Sequence, residues 1–150
     1  MKPYLMFVED DDATAYLTLR ALKINAFPAE VVRANDGAEA LQHLQSGKSK
    51  PTLILLDLKL PKISGIEVLQ KIRRTPALQA IPVVILSASN LEQDLENTAQ
   101  LGITRYIVKP MNFQAFVTEM GHGSQLFSAC VGFNDAQGNS ASRSSSHRRT

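Results

Sequence analysis

The chain has 150 residues, 44% hydrophobic and 20% charged, with a net charge of +2, which is the balance of one soluble domain with a real core and too short for two. Residues 134–150 hold three of the 16 basic residues and one of the 14 acidic ones, so residues 1–133 balance at 13 of each, and the body gives no charge-based sign of nucleic-acid binding. No apolar run reaches the roughly 20 residues of a membrane helix, and the start shows no cleavage-site pattern, so no signal peptide is expected. Cys130 is the only cysteine, which excludes an intrachain disulfide and fits a reducing, cytoplasmic setting.

In chain order the body alternates between two periods. Tyr4-Leu5-Met6-Phe7-Val8 is a short apolar run, as expected of a strand buried on both faces. Ala15, Leu17, Leu19, Leu22 and Ile24 follow at helical spacing. Glu30–Ala34 reads as a second strand, and Asp36 is placed to cap a helix carrying Ala40, Leu41 and Leu44 that ends at Gly47. Thr52–Leu56 is the most apolar strand and the natural sheet centre. Ser64-Gly65 opens a helix with Ile66, Leu69 and Ile72 on one face. Ile81–Leu86 is strand again, Leu91, Leu95, Ala99 and Leu101 mark a fourth helix, and Thr104–Val108 is a fifth strand. Phe113, Phe116, Val117 and Met120 stripe a fifth helix. Five strand–helix repeats imply a parallel sheet with helices on both faces, an α/β fold whose cleft lies beyond the carboxyl ends of the strands.

Those ends carry chemistry. Strand one runs into Glu9-Asp10-Asp11-Asp12, strand three into Asp57, strand four into Ser87 and strand five into Lys109-Pro110. Taken singly, each has a plainer reading: a strand-end acid, a helix N-terminal acid cluster, a turn serine, a surface lysine. Delivered to one sheet edge, they form a set. Carboxylates crowded into one cleft are tolerable if a hard divalent cation sits between them, and Mg²⁺ takes one or two carboxylates plus phosphate oxygens. Asp10 and Asp57 would supply those carboxylates, with Glu9 acting through water. A carboxylate is also a nucleophile toward phosphorus, and Lys109 and the Ser87 hydroxyl would then meet the phosphoryl oxygens.

Val8-Glu9-Asp10-Asp11, Leu55-Leu56-Asp57-Leu58-Lys59-Leu60-Pro61, Ser64-Gly65, Val84-Ile85-Leu86-Ser87-Ala88 and Tyr106-Ile107-Val108-Lys109-Pro110 resemble the receiver domains of two-component response regulators, in order and over roughly residues 3–120. The resemblance implies a flavodoxin-like three-layer α/β/α sandwich with strand order 2-1-3-4-5, an order for which a receiver is itself the standard illustration. It implies phosphoryl transfer from a histidine kinase to Asp57, and Mg²⁺ at Glu9, Asp10, Asp57 and the Lys59 carbonyl. It further implies Ser87 and Tyr106 as a switch pair, Lys109 as the phosphate-contacting cation, and a cis peptide before Pro110. Glu9 stands where aspartate is more frequent, Ser87 where threonine is also common, and Ser64 where many members carry aspartate. Glu9–Ala13, Asn35–Leu41 and Leu60–Gly65 look like the stand-alone receivers that serve bacterial phytochromes, which implies a phytochrome-type sensor kinase as partner.

The receiver domain is expected over 1–121, an apolar extension over 122–133, and a disordered polar and basic tail over 134–150. Gly121-His122-Gly123 stands where a receiver would normally finish. Beyond it, Leu126, Phe127, Val131 and Phe133 would extend the helix over an apolar patch or form a homodimer seam. No DNA-binding module follows, so output is expected through a change of partner, not through turnover as an enzyme. Two other classes compete. A metal-dependent aspartyl phosphatase or phosphotransferase usually carries its nucleophile on the first strand, with a second acid two residues on. A flavin-binding module of flavodoxin type would want a glycine- or hydroxyl-rich phosphate loop where Glu9–Asp12 stands.

Overall fold

The computed structural model describes residues 2–139 and, for side chains, residues through Val131. Five strands and five helices alternate along it: β1 Tyr4–Val8, α1 Asp12–Ile24, β2 Glu30–Ala34, α2 Gly37–Gln45, β3 Leu53–Leu56, α3 Gly65–Arg74, β4 Val83–Ser87, α4 Glu92–Gln100, β5 Arg105–Val108 and α5 Phe113–Asn139. The strands form one parallel sheet in the order β2-β1-β3-β4-β5. This is the flavodoxin-like arrangement, with β3 in the middle. The chain reverses direction across the sheet between β1 and β3, so a crevice opens there at the carboxyl ends.

β1, β3 and β4 are buried along their whole length, which is why they read as unbroken apolar runs. Alternate side chains feed two cores. One face packs Met6, Ile54, Leu56 and Ile85 against Leu41, Leu44, Leu69 and Ile72 of α2 and α3. The other packs Leu5, Phe7, Leu55 and Leu86 against Ala21 and Leu22 of α1 and Phe116 and Met120 of α5. Caps fix where the helices begin. The Asp11 and Asp36 carboxylates accept from the backbone N–H groups of Thr14 and Glu39, and Ser64 and Glu67 form a reciprocal capping box. On α1, Ala15 and Leu22 face the core as expected. Leu19 and Ile24 face outward, 36% and 54% exposed.

The fifth helix takes one of the two courses open from sequence, extending past the glycines over an apolar patch. It runs through Gly121 and Gly123 without a break and continues to Asn139, so the boundary expected at 121 is not a break in the chain's structure. The first six residues of the expected disordered tail are helical, and 140–150 lie outside the described residues. Gly121 serves close approach: a Cβ there would sit 2.9 Å from Oδ1 of Asn25. Asn25 in turn donates through Nδ2 to the carbonyls of Ala21 and Val117, tying the end of α1 to α5. Beyond the glycines, Phe127 is 1% exposed and meets the Phe27 ring edge-on at 4.8 Å between centroids. Two helical glycines cost about 2 kcal/mol relative to alanine, and burying one phenylalanine yields a similar amount. Leu126 and Val131 add to that core from the same helix.

All peptide bonds among the described residues are trans, including the one before Pro110, where the resemblance implies cis. Among the described residues no helix is long and apolar enough to cross a membrane.

Because Phe127 belongs to the same core as Phe116 and Met120, Phe127→Ala should destabilise the whole domain by about 3 kcal/mol. Urea unfolding measures this directly. A variant that unfolds at the wild-type midpoint would show that the segment after 121 is not part of the cooperative unit.

Candidate functional site

Sheet topology decides which side chains can meet. Parallel strands end on one rim, and hydrogen bonding carries the chain a residue or two past each formal strand. The Glu9 amide donates to the Ala34 carbonyl, the Asp57 amide to the Val8 carbonyl, and the Lys109 amide to the Ser87 carbonyl. The side chains that leave these positions therefore start from a rigid edge. Glu9, Asp10 and Asp57 each place a carboxylate oxygen within 4.8 Å of the others. Glu9 and Asp57 are buried and Asp10 is exposed, so the cluster reaches the surface through Asp10.

Lys109 closes the set. Its Nζ lies 3.0 Å from Glu9 Oε1 and 3.2 Å from Asp57 Oδ2. The Asp57 contact is aligned as a hydrogen bond. The Glu9 contact is an ion pair out of alignment, and Glu9 Oε1 is a buried oxygen without a hydrogen-bond donor among the described residues. Oε2 of Glu9 accepts from the Asp11 amide at 3.2 Å, and Oδ1 of Asp57 accepts from the Lys59 amide at 3.3 Å. Glu9 and Asp57 thus share one ammonium while the Asp10 carboxylate lies within 4.8 Å of theirs, and Glu9 Oε1, buried with no aligned donor, marks a place where further positive charge is wanted.

Titration follows from this. Burial, and then the Asp57 charge, raise the Glu9 pKa from 4.5 to about 7, with Lys109 opposing. Burial works against the Lys109 charge, but Glu9 and Asp57 overcome it and hold its pKa above the ordinary lysine value. The donor set, three carboxylates and no nitrogen or sulfur, suits a hard divalent cation.

The hydroxyls lie alongside. Ser87 is fully buried, and its Oγ accepts from the Ser89 amide at 3.2 Å, which leaves the Ser87 proton free to donate. Tyr106 is half-buried, and its hydroxyl donates to the Ser89 carbonyl at 2.7 Å. Burial first raises the Tyr106 pKa, with its hydrogen bond to Ser89 opposing. The Ser89 hydroxyl donates to Asp94 of α4 at 2.5 Å.

Of the site residues expected from sequence, Glu9, Asp10, Asp57 and Lys109 come together, Lys59 touches Asp57 through its amide and not the carbonyl expected as a ligand, and Ser87 and Tyr106 both bond to Ser89. Two further residues were not anticipated. Gly65 packs so tightly under the Asp57 turn that a Cβ would fall 2.2 Å from the Asp57 carbonyl oxygen, and its amide donates to the Leu58 carbonyl at 2.8 Å. The Ser-Gly pair signalled a helix start but not this approach. Arg33 of β2 holds the Glu9 carbonyl through Nε and Nη2 at 3.0 and 2.9 Å.

The response regulator receiver domain model matches residues 5–120. The probable methanogenesis regulatory protein FilR2 of Methanothrix harundinacea is 39% identical over 114 residues, 73% of this chain and 74% of its own. Response regulator Rcp1 of Synechocystis is 36% identical over 115 residues, 73% of this chain and 78% of Rcp1. The crystal structure of the Mn²⁺-bound form of Rcp1 is similar with a TM-score of 0.75 at 34% identity, over 80% of this chain and 90% of that one. The phosphorylated cyanobacterial phytochrome response regulator RcpA has a TM-score of 0.70 at 37% identity, over 97% of this chain and all of its own.

The raised Glu9 pKa has a definite sign for stability. Above about pH 7 the folded chain carries the full cost of the Glu9 charge. As pH falls toward 4.5 the folded chain takes up that proton before the unfolded chain does, and the cost is relieved. Metal-free Glu9→Gln should therefore melt a few degrees above wild type at pH 8, with the gap closing near pH 4. Equal midpoints at pH 8 would mean that the Glu9 charge is not penalised.

Proposed function

The chain belongs to the response regulator receiver domain family of two-component phosphorelays, and from that premise we propose that Asp57 is its phosphoryl-accepting residue. The observation that carries this reading is the convergence of the Glu9, Asp10 and Asp57 carboxylates within 4.8 Å, with the Lys109 ammonium 3.2 Å from Asp57. An Asp57 carboxylate oxygen attacks the phosphorus of a phosphohistidine. The new O–P bond forms as the P–N bond breaks, and the leaving imidazole takes up a proton. Lys59 and Lys109 fix the two Asp57 oxygens, one from its amide and one from its ammonium, so the nucleophile needs little reorganisation. Lys109 stands ready to meet a phosphoryl oxygen, and the free proton of Ser87 to meet another.

Glu9, Asp10, Asp57 and the Lys59 carbonyl would hold Mg²⁺. The orphaned Glu9 oxygen and the all-oxygen donor set support that choice. When bound, the ion offsets charge on the phosphoryl oxygens. Asp57 is 3% exposed, so a donor must approach through the side on which Asp10 is exposed.

Ser87 and Tyr106 form the switch in this reading. A phosphoryl group on Asp57 competes for the Ser87 proton. Because the Ser87 oxygen accepts from Ser89, and Ser89 accepts from Tyr106, the change is passed to the start of α4. The output is altered partner binding, and the only chemistry is the protein's own phosphoryl transfer and its hydrolysis. The similarity to the phytochrome response regulator RcpA supports a phytochrome-type histidine kinase as the donor. Residues 122–133 include Phe127, which is buried in its own chain, so no self-association through that side chain is proposed.

Incubation with acetyl phosphate and Mg²⁺ should add one phosphoryl group by intact mass, and Asp57→Asn should abolish it. Lys109→Ala should leave the group on Asp57 but slow its acquisition at least about tenfold, as loss of a charge-stabilising contact does. Labelling of Asp57→Asn at the wild-type level would remove Asp57 from the role.

A further inference from the structure

Arg33 is the fourth residue of β2 and pairs in register with Phe7 of β1. Its side chain is 24% exposed and turns over the β1–α1 turn. Nε and Nη2 both donate to the Glu9 carbonyl oxygen, at 3.0 and 2.9 Å, and Nη1 lies 3.0 Å from Oδ1 of Asp12, which is 93% exposed.

A guanidinium so near three carboxylates invites a reading as simple neutralising charge. The geometry points elsewhere. Arg33 gives two donors to a neutral carbonyl and a third to a solvated carboxylate at the rim, and it makes no ion pair with Glu9, Asp10 or Asp57. The carbonyl it grips belongs to the peptide that joins Glu9 to Asp10, so the fork fixes that peptide plane. A planar guanidinium suits this work, because its donors keep a fixed mutual angle.

Besides that fork and the ion pair of its Oε1 with Lys109 at 3.0 Å, Glu9 is held at two points. Its amide donates to the Ala34 carbonyl at 3.1 Å, and its Oε2 accepts from the Asp11 amide at 3.2 Å. Glutamate has one more rotatable bond than aspartate, so the place its carboxylate reaches depends strongly on the backbone orientation at its own position. With amide, carbonyl and Oε2 all fixed, Oε1 is left aimed at the shared space with Lys109 and Asp57.

We propose that Arg33 is a positioning residue for divalent-cation binding. Its fork on the Glu9 carbonyl sets the Glu9–Asp10 peptide plane, and that plane aims both carboxylates at the site. This rests on the reading of the three acids as a cation site and of Asp57 as the phosphoryl acceptor.

Charge and orientation predict opposite signs, which makes the test sharp. Removing a nearby cation by charge alone tightens binding of a divalent ion, whereas losing the orientation weakens it. Mn²⁺ is titrated into the full chain, followed by its electron paramagnetic resonance signal, for wild type, Arg33→Ala and Arg33→Lys. Arg33→Ala should raise the dissociation constant about tenfold, in the range typical for residues that orient ligands. Arg33→Lys keeps the charge but not the fork, and should stay weakened. Labelling of either variant by acetyl phosphate should recover toward the wild-type rate as Mg²⁺ is raised. If Arg33→Ala loses its fold by circular dichroism, Arg33→Lys decides. Wild-type or tighter Mn²⁺ affinity in the folded variants overturns the proposal. A wild-type chain that binds no Mn²⁺ overturns the reading of the acids and this proposal with it. A wild-type chain that binds Mn²⁺ but is not labelled overturns only the acceptor role of Asp57.

Discussion

One ammonium group, shared by two of three clustered carboxylates, sits at the rim of the sheet, and that imbalance organises the rest of the molecule. Lys109 leaves β5, two strands away from β3 and three from β1. At parallel-strand spacing, two strands are about 10 Å, which only a long side chain can cross. Lysine crosses it and still reaches both Glu9 and Asp57. Its single charge does not balance the set, and burial first, then the charge of Asp57, raise the pKa of Glu9. A site in this condition favours whatever brings positive charge or removes negative charge, a proton or a divalent cation, and an acyl phosphate formed there would raise that demand further.

Holding such a site requires a stiff frame. The two apolar layers supply it, since β1, β3 and β4 are buried on both faces and cannot slide without exposing their core residues. The loops beyond the strands are pinned one by one. Gly65 lets α3 press against the Asp57 turn with no side chain between them, Asp11 caps α1 directly after the acids, and Arg33 grips the carbonyl of Glu9. Electrostatic strain at the rim is offset by burial below it, the usual division of labour between a functional edge and its core.

What could be read in the sequence follows from the range of the interaction involved. Strands buried on both faces announce themselves as apolar runs, and caps are local, so Asp36 and Ser64 were placed correctly from their own neighbourhoods. The meeting of Glu9, Asp10, Asp57 and Lys109 is what parallel strands ending on a shared rim imply. The course of α5 was legible only as one of two alternatives, extension over an apolar patch or a dimer seam. Gly121 and Gly123 are poor helix residues by local propensity, and the groups that override them, Asn25 and Phe27, lie about ninety residues earlier in the chain. Leu19 and Ile24 were misjudged because helical spacing gives a stripe but not its width. Arg33 left no trace in any motif, since its acceptor is a backbone carbonyl and every residue has one.

The route by which the site would speak to a partner depends on what is least firmly held. α4 has Leu91 at its N-cap position with no side-chain cap, and Leu91 and Leu95 are 62% and 39% exposed, so it invests little apolar surface in the core. Its main polar anchor at that end is Ser89, through the hydroxyl that binds Asp94 and accepts from the Leu91 amide. The same residue binds Ser87 through its amide and Tyr106 through its carbonyl. Any shift of Ser87 toward Asp57 therefore pulls on one residue that carries both the aromatic ring of β5 and the start of α4. An element so loosely packed moves at small cost, whereas α3, capped at both oxygen and nitrogen and buried along Val68, Leu69 and Ile72, does not. The hydrogen bonds of Ser89 thus link the Ser87 hydroxyl, the Tyr106 hydroxyl and the start of α4, which is what the proposed switch requires.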